Sequence, residues 1–250
     1  MYYTGKTSSL NFPYLFQLGA SNDTTLSLGT DAFLVSLNAN TGILTWARYL
    51  GGNSDDCGTS LAADANYLYV VGYTASSDFP TQYLTGAYFQ GYVSDGELFI
   101  TKFNSQNLLL WSTYYGGNNQ AWCAKLDGNG NLYISGFSKS TNFPTQNPGG
   151  GAYYVNTLTG QEDVVILKFN SNGARQWATY FGGSGRDLPG YSNGHGMAVN
   201  NNGIFITGWT TSNNLPIYNY GGNCYIDSTY NGMQDAFIAA FNHSLQPIWS

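Results

Sequence analysis

Tyr69–Pro80 reads YVVGYTASSDFP, and the chain writes this phrase four times. Tyr2–Pro13 (YYTGKTSSLNFP), Tyr133–Pro144 (YISGFSKSTNFP) and Phe205–Pro216 (FITGWTTSNNLP) align with it without gaps. A second phrase falls between the copies: Asp31–Gly52 (DAFLVSLNANTGILTWARYLGG), Glu97–Gly117 (ELFITKFNSQNLLLWSTYYGG), Asp163–Gly183 (DVVILKFNSNGARQWATYFGG) and the shorter Asp235–Ser250 (DAFIAAFNHSLQPIWS). Trp46, Trp111, Trp177 and Trp249 mark the period, at spacings of 65, 66 and 72 residues. A fixed period of this kind means one structural unit stacked on copies of itself, each burying its apolar face on a neighbour.

Each unit carries four short strand signals separated by turn chemistry. In the first, Phe33, Val35 and Leu37 share a side, as do Phe99, Thr101 and Phe103, then Val165, Leu167 and Phe169, then Phe237, Ala239 and Phe241. Asn38, Asn104, Asn170 and Asn242 close this strand, a position where Asn favours a turn. The second strand surrounds the Trp and stops at Gly-Gly. The third and fourth form a hairpin, Thr59–Asp64 with Leu68–Thr74 in the first complete unit. A Gly recurs in the middle of the fourth strand (Gly5, Gly72, Gly136, Gly208), where Gly weakens pairing unless a bulge or a close backbone approach requires it.

The pattern predicts an all-β chain, a β-propeller of four-stranded antiparallel blades. Repeats fall at about 1–30, 31–95, 96–161, 162–233 and 234–250, giving three complete and two partial blades. Both ends lie inside a repeat, so an incomplete ring from a longer chain with flanking domains is expected. On this phase the N-terminal strand and the last two C-terminal strands would share one blade lacking its third strand.

Composition narrows the function. Charged residues are 9% of the chain and aromatic residues 16%, with a net charge of −6 and no basic stripe. Nucleic-acid binding is therefore not expected, because neutralising phosphates takes clustered Lys and Arg. No apolar run reaches the roughly 18–20 residues that cross a bilayer as a helix. Cys57, Cys123 and Cys224 occupy non-equivalent places and read as unpaired thiols, one disulfide being the alternative. Their spacings match no zinc site, and no cofactor or metal is expected.

The combination DAFLVSLN, WARYLGG, YVVGYT and DFPT resembles the SBBP repeat, the seven-bladed β-propeller repeat family of secreted bacterial proteins. The Gly-Gly-x-x-x-Asp phrase is kept at Asp56 and Asp187, while Gln120 or Ala121 stands there in the middle copy. Leu188–His195 is an insertion ahead of a third strand. The resemblance implies a secreted or cell-surface bacterial scaffold, and it brings no catalytic motif.

Strand alternation sends the long connections Ser76–Gly96, Ser140–Glu162 and Ser212–Gln234 out on one side, beside the Gly-Gly loops. Loops on a rigid scaffold are where binding residues concentrate. Tyr83, Tyr88, Phe89, Tyr92, Tyr153, Tyr154, Tyr218, Tyr220, Tyr225 and Tyr230 lie there. Of these, Tyr83, Tyr88, Tyr92, Tyr153, Tyr154, Tyr218 and Tyr220 are the candidate contacts for a protein or glycan partner, since tyrosine joins a flat apolar face to a polar tip. The alternative is that the rings pack under their own loops. Asp127-Gly-Asn129-Gly-Asn131 resembles the start of a calcium loop but lacks the closing Glu, so a tight turn is the reading preferred. Asp55-Asp56 and Arg186-Asp187 read as loop-ordering groups, and His195 and His243 fall on opposite loop faces. No catalytic constellation emerges. The expectation is a non-catalytic extracellular scaffold or binding module. A carbohydrate-binding adhesin, or part of an enzyme or cofactor-bearing propeller whose site needs further blades, are the alternatives.

Overall fold

The computed structural model describes residues 1–15, 26, 29–94, 96–190, 195–219, 221 and 225–250. The strands are β1 (Tyr2–Thr7), β2 (Asp31–Leu37), β3 (Leu44–Leu50), β4 (Asp56–Ala63), β5 (Tyr67–Thr74), β6 (Glu97–Asn104), β7 (Leu109–Tyr115) and β8 (Asn119–Leu126). They continue as β9 (Leu132–Ser138), β10 (Asp163–Phe169), β11 (Arg175–Phe181), β12 (Asp187–Pro189), β13 (Met197–Asn200), β14 (Gly203–Thr210), β15 (Asp235–Phe241) and β16 (Pro247–Trp249). Among the described residues no helix is long and apolar enough to cross a membrane.

The strands form four antiparallel sheets within two compact units, Met1–Ala121 and Trp122–Ser250, and the chain passes from one unit to the other in β8. The first unit holds β1-β2-β3 and β4-β5-β6-β7. The second holds β11-β10-β9-β8 and a sheet ordered β12-β14-β15-β16, with β13 also on β14. Asn turns close the hairpins as expected: Asn104 Oδ1 accepts from the N–H groups of Gln106 and Leu108, and Asn170 Oδ1 from those of Asn172 and Ala174.

The phase of the sheets differs from the phase of the repeats. Each complete sheet starts with the third strand of one repeat and ends with the second strand of the next; the first sheet starts with a fourth strand. An unbroken ladder from Tyr67↔Asn104 to Thr74↔Glu97 joins β5 to β6 across the long connection. The short Gly51-Gly52 segment instead links two sheets. Three complete and two partial blades therefore become one three-stranded sheet and three sheets with all four positions filled. The terminal strands share no blade: β1 pairs with β2, and β15 and β16 complete the sheet of β14.

Period two decides what each sheet buries. In the first unit Ala32, Leu34, Trp46 and Leu50 of one sheet meet Leu68, Val70, Phe99 and Phe103 of the next. In the second, Val164, Ile166, Trp177 and Phe181 meet Ile204, Ile206, Phe237 and Phe241. The same ring contact anchors both interfaces, Trp46 on Phe103 at 6.1 Å and Trp177 on Phe241 at 5.6 Å, each edge to face. Trp46, Trp111 and Trp177 are fully buried.

The mid-strand Gly is a close-approach position. A Cβ on Gly72 would lie 1.9 Å from the Cys57 carbonyl oxygen and 2.8 Å from the Phe99 ring; on Gly208 it would lie 2.0 Å from Leu188 O and 2.8 Å from the Phe237 ring. Next to Gly72, Thr59 is an extra residue in β4, between the pairs Gly58↔Gly72 and Ser60↔Val71. The insertion of the third repeat enlarges this bulge. It does not precede the strand but interrupts it, leaving β12 and β13 on one partner. Gly190 N–H donates to Thr207 O at 2.8 Å, and Thr207 N–H to Gly196 O at 2.9 Å.

Candidate functional site

The long connections are built on one plan. After β5 the chain doubles back along the edge strand of its own sheet, where Gln82 and Ser112 exchange two backbone hydrogen bonds of 2.9 Å. Gln146 and Ala178 do the same in the third sheet, at 2.9 and 3.1 Å. Each connection thus covers the N–H and C=O groups of an edge that would otherwise pair with another chain.

Three side-chain anchors fix the path. Tyr114 and Tyr180, three residues after the repeat Trp, bind the start of the loop. Tyr114 Oη donates to Ser76 O at 2.8 Å and accepts from Phe79 N–H at 2.8 Å. Tyr180 Oη donates to Ser140 O and accepts from Phe143 N–H. Burial pushes the Tyr114 phenol up to about 12, so it stays a donor at all ordinary pH. In the middle of the loop, the indole N–H groups of Trp111 and Trp177 donate to Tyr88 O at 2.7 Å and Tyr153 O at 2.8 Å. At the end, the acid opening the next strand accepts from the loop backbone: Thr159 N–H donates to Asp163 Oδ2 at 2.9 Å and Asn231 N–H to Asp235 Oδ2 at 2.7 Å. Sequence reading missed the tyrosine anchor, although TYYGG and TYFGG carried its signal.

A second set of carboxylates closes the Gly-Gly turns. Asp56 Oδ2 accepts from Gly52 N–H and Ser76 Oγ–H, both at 2.8 Å. Asp187 Oδ2 accepts from Gly183 N–H at 2.7 Å and Ser212 Oγ–H at 2.8 Å, while Thr210 donates to its other oxygen. In the middle copy the turn is two residues shorter, and Asn119, not Gln120 or Ala121, takes the position: its N–H donates to Gly96 O, as those of Asp56 and Asp187 do to Thr30 O and Glu162 O. Gly51 lies between Asp31 and Asp56, and Gly182 between Asp163 and Asp187. Burial raises the carboxyls of Asp56, Glu97 and Asp163 above the usual range, against hydrogen bonds that lower them. Asp55 is held low by two hydrogen bonds from Thr30. Glu162 lies between Lys139 at 2.9 Å and Arg186 at 2.8 Å. These acids order loops, and for Asp55, Asp56 and Asp187 their positions in the repeat suggested it. Asp127 does the same for its own turn, where the N–H groups of Asn129 and Asn131 and the Asn131 side chain all donate to it.

The candidate tyrosines divide. Tyr83 is 58% exposed and meets the exposed Phe89 edge to face at 5.7 Å, and Tyr92 is exposed beside Tyr114. Tyr88 is half-buried against Tyr115 at 4.8 Å, and its hydroxyl donates to Gln90. In the second unit Tyr153 is only 7% exposed, packed on Phe181, Phe241 and Tyr218. It is a ring of the core and offers no binding surface. Tyr218 is half-buried, as is Tyr154, whose hydroxyl lies 3.0 Å from that of Thr145. Tyr220 and Cys224 lie outside the described residues; Cys57 is a partly buried free thiol, and Cys123 is buried. His195 and His243 are exposed. Tyr225 is 88% exposed and borders a cleft of about 240 Å³ lined by Leu215, Ile217, Phe237, Ile238 and Trp249.

Residues 45–80 match the family model described as the SBBP beta-propeller repeat. The matched stretch runs through β3, β4 and β5, so the family's unit crosses the boundary between two sheets. No curated protein matches the chain.

Proposed function

We propose that this chain is a non-catalytic scaffold of an extracellular bacterial protein, and that it binds an uncharged partner through its long connections. The propeller repeat supports the scaffold, and the resemblance to a repeat of secreted proteins supports the location. One observation carries the binding reading: Tyr83, Phe89, Tyr92 and Val93 are all exposed on a connection pinned at both ends and in its middle. Exposed rings on an ordered loop lose little entropy on binding, which suits stacking on sugars. The buried carboxylates support a non-catalytic role, because the hydrogen bonds they accept come from the loops they order.

Glycan-array binding by the wild-type chain and by Tyr83→Ala, Phe89→Ala and Tyr92→Ala variants tests this reading. The expected result is binding that falls about tenfold per ring and changes little between low and high salt, since stacking is weakly screened. Binding that collapses with salt, or that ignores all three substitutions, overturns it.

A further inference from the structure

Two carboxyls face each other where the third sheet passes into the fourth. Asp163 opens β10 and Asp187 opens β12, and both residues are fully buried. Gly182 lies between them: a Cβ there would lie 2.7 Å from Asp163 Oδ1 and 2.8 Å from Asp187 Oδ2. The backbone closes the same junction. Gln161 N–H donates to Gly185 O at 2.8 Å and Asp187 N–H to Glu162 O at 2.7 Å. The cations at this junction, Lys139 and Arg186, are both bound to Glu162.

Hydrogen-bond donors are divided unequally between the two acids. Asp187 accepts from Gly183 N–H and Ser212 Oγ–H on Oδ2, and from Thr210 on Oδ1. Asp163 accepts from Thr159 N–H and Oγ–H on Oδ2, at 2.9 and 2.7 Å, while its Oδ1 is buried with no donor. A buried carboxylate oxygen without a donor is costly. A carboxylic acid there is not, because its O–H donates and Asp187 is the acceptor across Gly182. Burial, and less so Asp187, raises the Asp163 carboxyl against the bonds from Thr159. The other titratable groups near it are the phenols of Tyr153 and Tyr180, which burial keeps neutral. The arrangement recurs in the first unit, where Gly51 lies between the fully buried Asp31 and Asp56. In the middle copy Asn119 stands in the second place, and an amide has the shape and neutrality of a protonated carboxyl.

We infer that Asp163 and Asp187 hold one proton between them, carried on Asp163 Oδ1, and that this proton is a pH-sensitive clasp closing the third sheet on the fourth. In acid the clasp is shut. As pH rises the proton leaves to solvent, and two like charges face each other across Gly182. The shut junction binds the proton more tightly than the open one. Its contribution is therefore complete below the ordinary carboxylate range and lost as pH rises through the raised value. Gln161 and Glu162 end the long connection, so the clasp also sets how firmly that connection is held.

Carbon-13 NMR of the whole chain, labelled at the aspartate carboxyls and followed across pH, tests this together with hydrogen exchange at the Gln161 and Asp187 amides. A carboxyl signal that is absent from Asp163→Asn should titrate above the ordinary range. Amide protection should be constant in acid, fall about tenfold per pH unit between the ordinary and the raised value, then level off. In Asp163→Asn it should stay at the acid level throughout, since the amide keeps a donor facing Asp187 and an acceptor for Thr159. Asp187→Asn should move the Asp163 titration down, because a charge is removed and an N–H is offered in its place. A wild type in which no aspartate titrates above the ordinary range overturns the inference, and that measurement needs no variant to fold. An Asp163 titration that ignores Asp187→Asn overturns the sharing of the proton. Protection that does not change with pH, or that changes equally in Asp163→Asn, overturns the clasp.

Discussion

Trp177 donates its indole N–H to the carbonyl of Tyr153 at 2.8 Å, fastening the last strand of the third sheet to the loop that crosses its end. Trp111 and Tyr88 make the same bond at 2.7 Å. The repeat Trp therefore has two tasks: its ring fills the space between sheets, and its N–H holds the long connection.

Trp177→Phe keeps part of the ring and removes the donor. The expected cost is about 2–4 kcal/mol, from a cavity plus an unsatisfied buried carbonyl. Urea denaturation should show it, together with faster proteolysis between residues 145 and 162. An unchanged midpoint and cleavage rate would remove the latch from the account.

Tyr153 separates a core ring from a binding ring. Its hydroxyl is buried without a hydrogen-bond partner, so Tyr153→Phe should be neutral or stabilise by about 1 kcal/mol. Tyr153→Ala should cost about 3–5 kcal/mol. A stable Ala variant that has lost only partner binding would return Tyr153 to the surface.

Gly72→Ala should be among the most damaging single changes, at about 3 kcal/mol or more, since no rotamer moves a Cβ away from the Cys57 carbonyl at 1.9 Å. Gly128→Ala is the control, because nothing lies within 4 Å of its would-be Cβ; it should stay within about 0.5 kcal/mol of wild type. Equal melting temperatures for the two would refute the close-approach reading.

Asp163 gives a pH prediction. Burial, and to a lesser degree the nearby Asp187, raise its carboxyl above the usual range in the folded state. A raised folded value means that this group favours folding most when protonated. That contribution is lost as pH rises from the ordinary carboxylate range through the raised one. Asp163→Asn should therefore stabilise at pH 7, and the gain should vanish in acid. Its amide can still accept from Thr159 while its NH₂ group faces Asp187. The middle copy has Glu97 and Asn119 at the corresponding places, and there Asn119 accepts from Leu98 N–H at 2.7 Å. A variant less stable than wild type at pH 7 would show that the charge of Asp163 is needed to hold its loop.

Part of the candidate site was legible and part was not. The long connections and the loop-ordering role of Asp56 and Asp187 followed from repeat position. The fates of Tyr83, Tyr153 and Tyr225 did not. All three are loop tyrosines, and they are exposed, buried and exposed respectively; Tyr153 is buried because Phe181, Phe241 and Tyr218 pack on it, which loop sequence does not reveal. Asn119 was also missed, since two deleted residues shift the count and only the hydrogen bond to Gly96 O reveals the equivalence.

Local chemistry was enough to establish from sequence the strands, their inward faces, the Asn turns and the repeat Trp. Period-two alternation and turn preferences act over a few residues, and four copies of each phrase agree. Which strands share a sheet was decided only in three dimensions. The Gly51-Gly52 segment is short and the connection from Ser76 to Gly96 long, yet the ladder forms across the long one. Pairing follows the satisfaction of whole rows of N–H and C=O groups and the burial of Trp46 against a neighbouring sheet, neither of which is a property of chain separation.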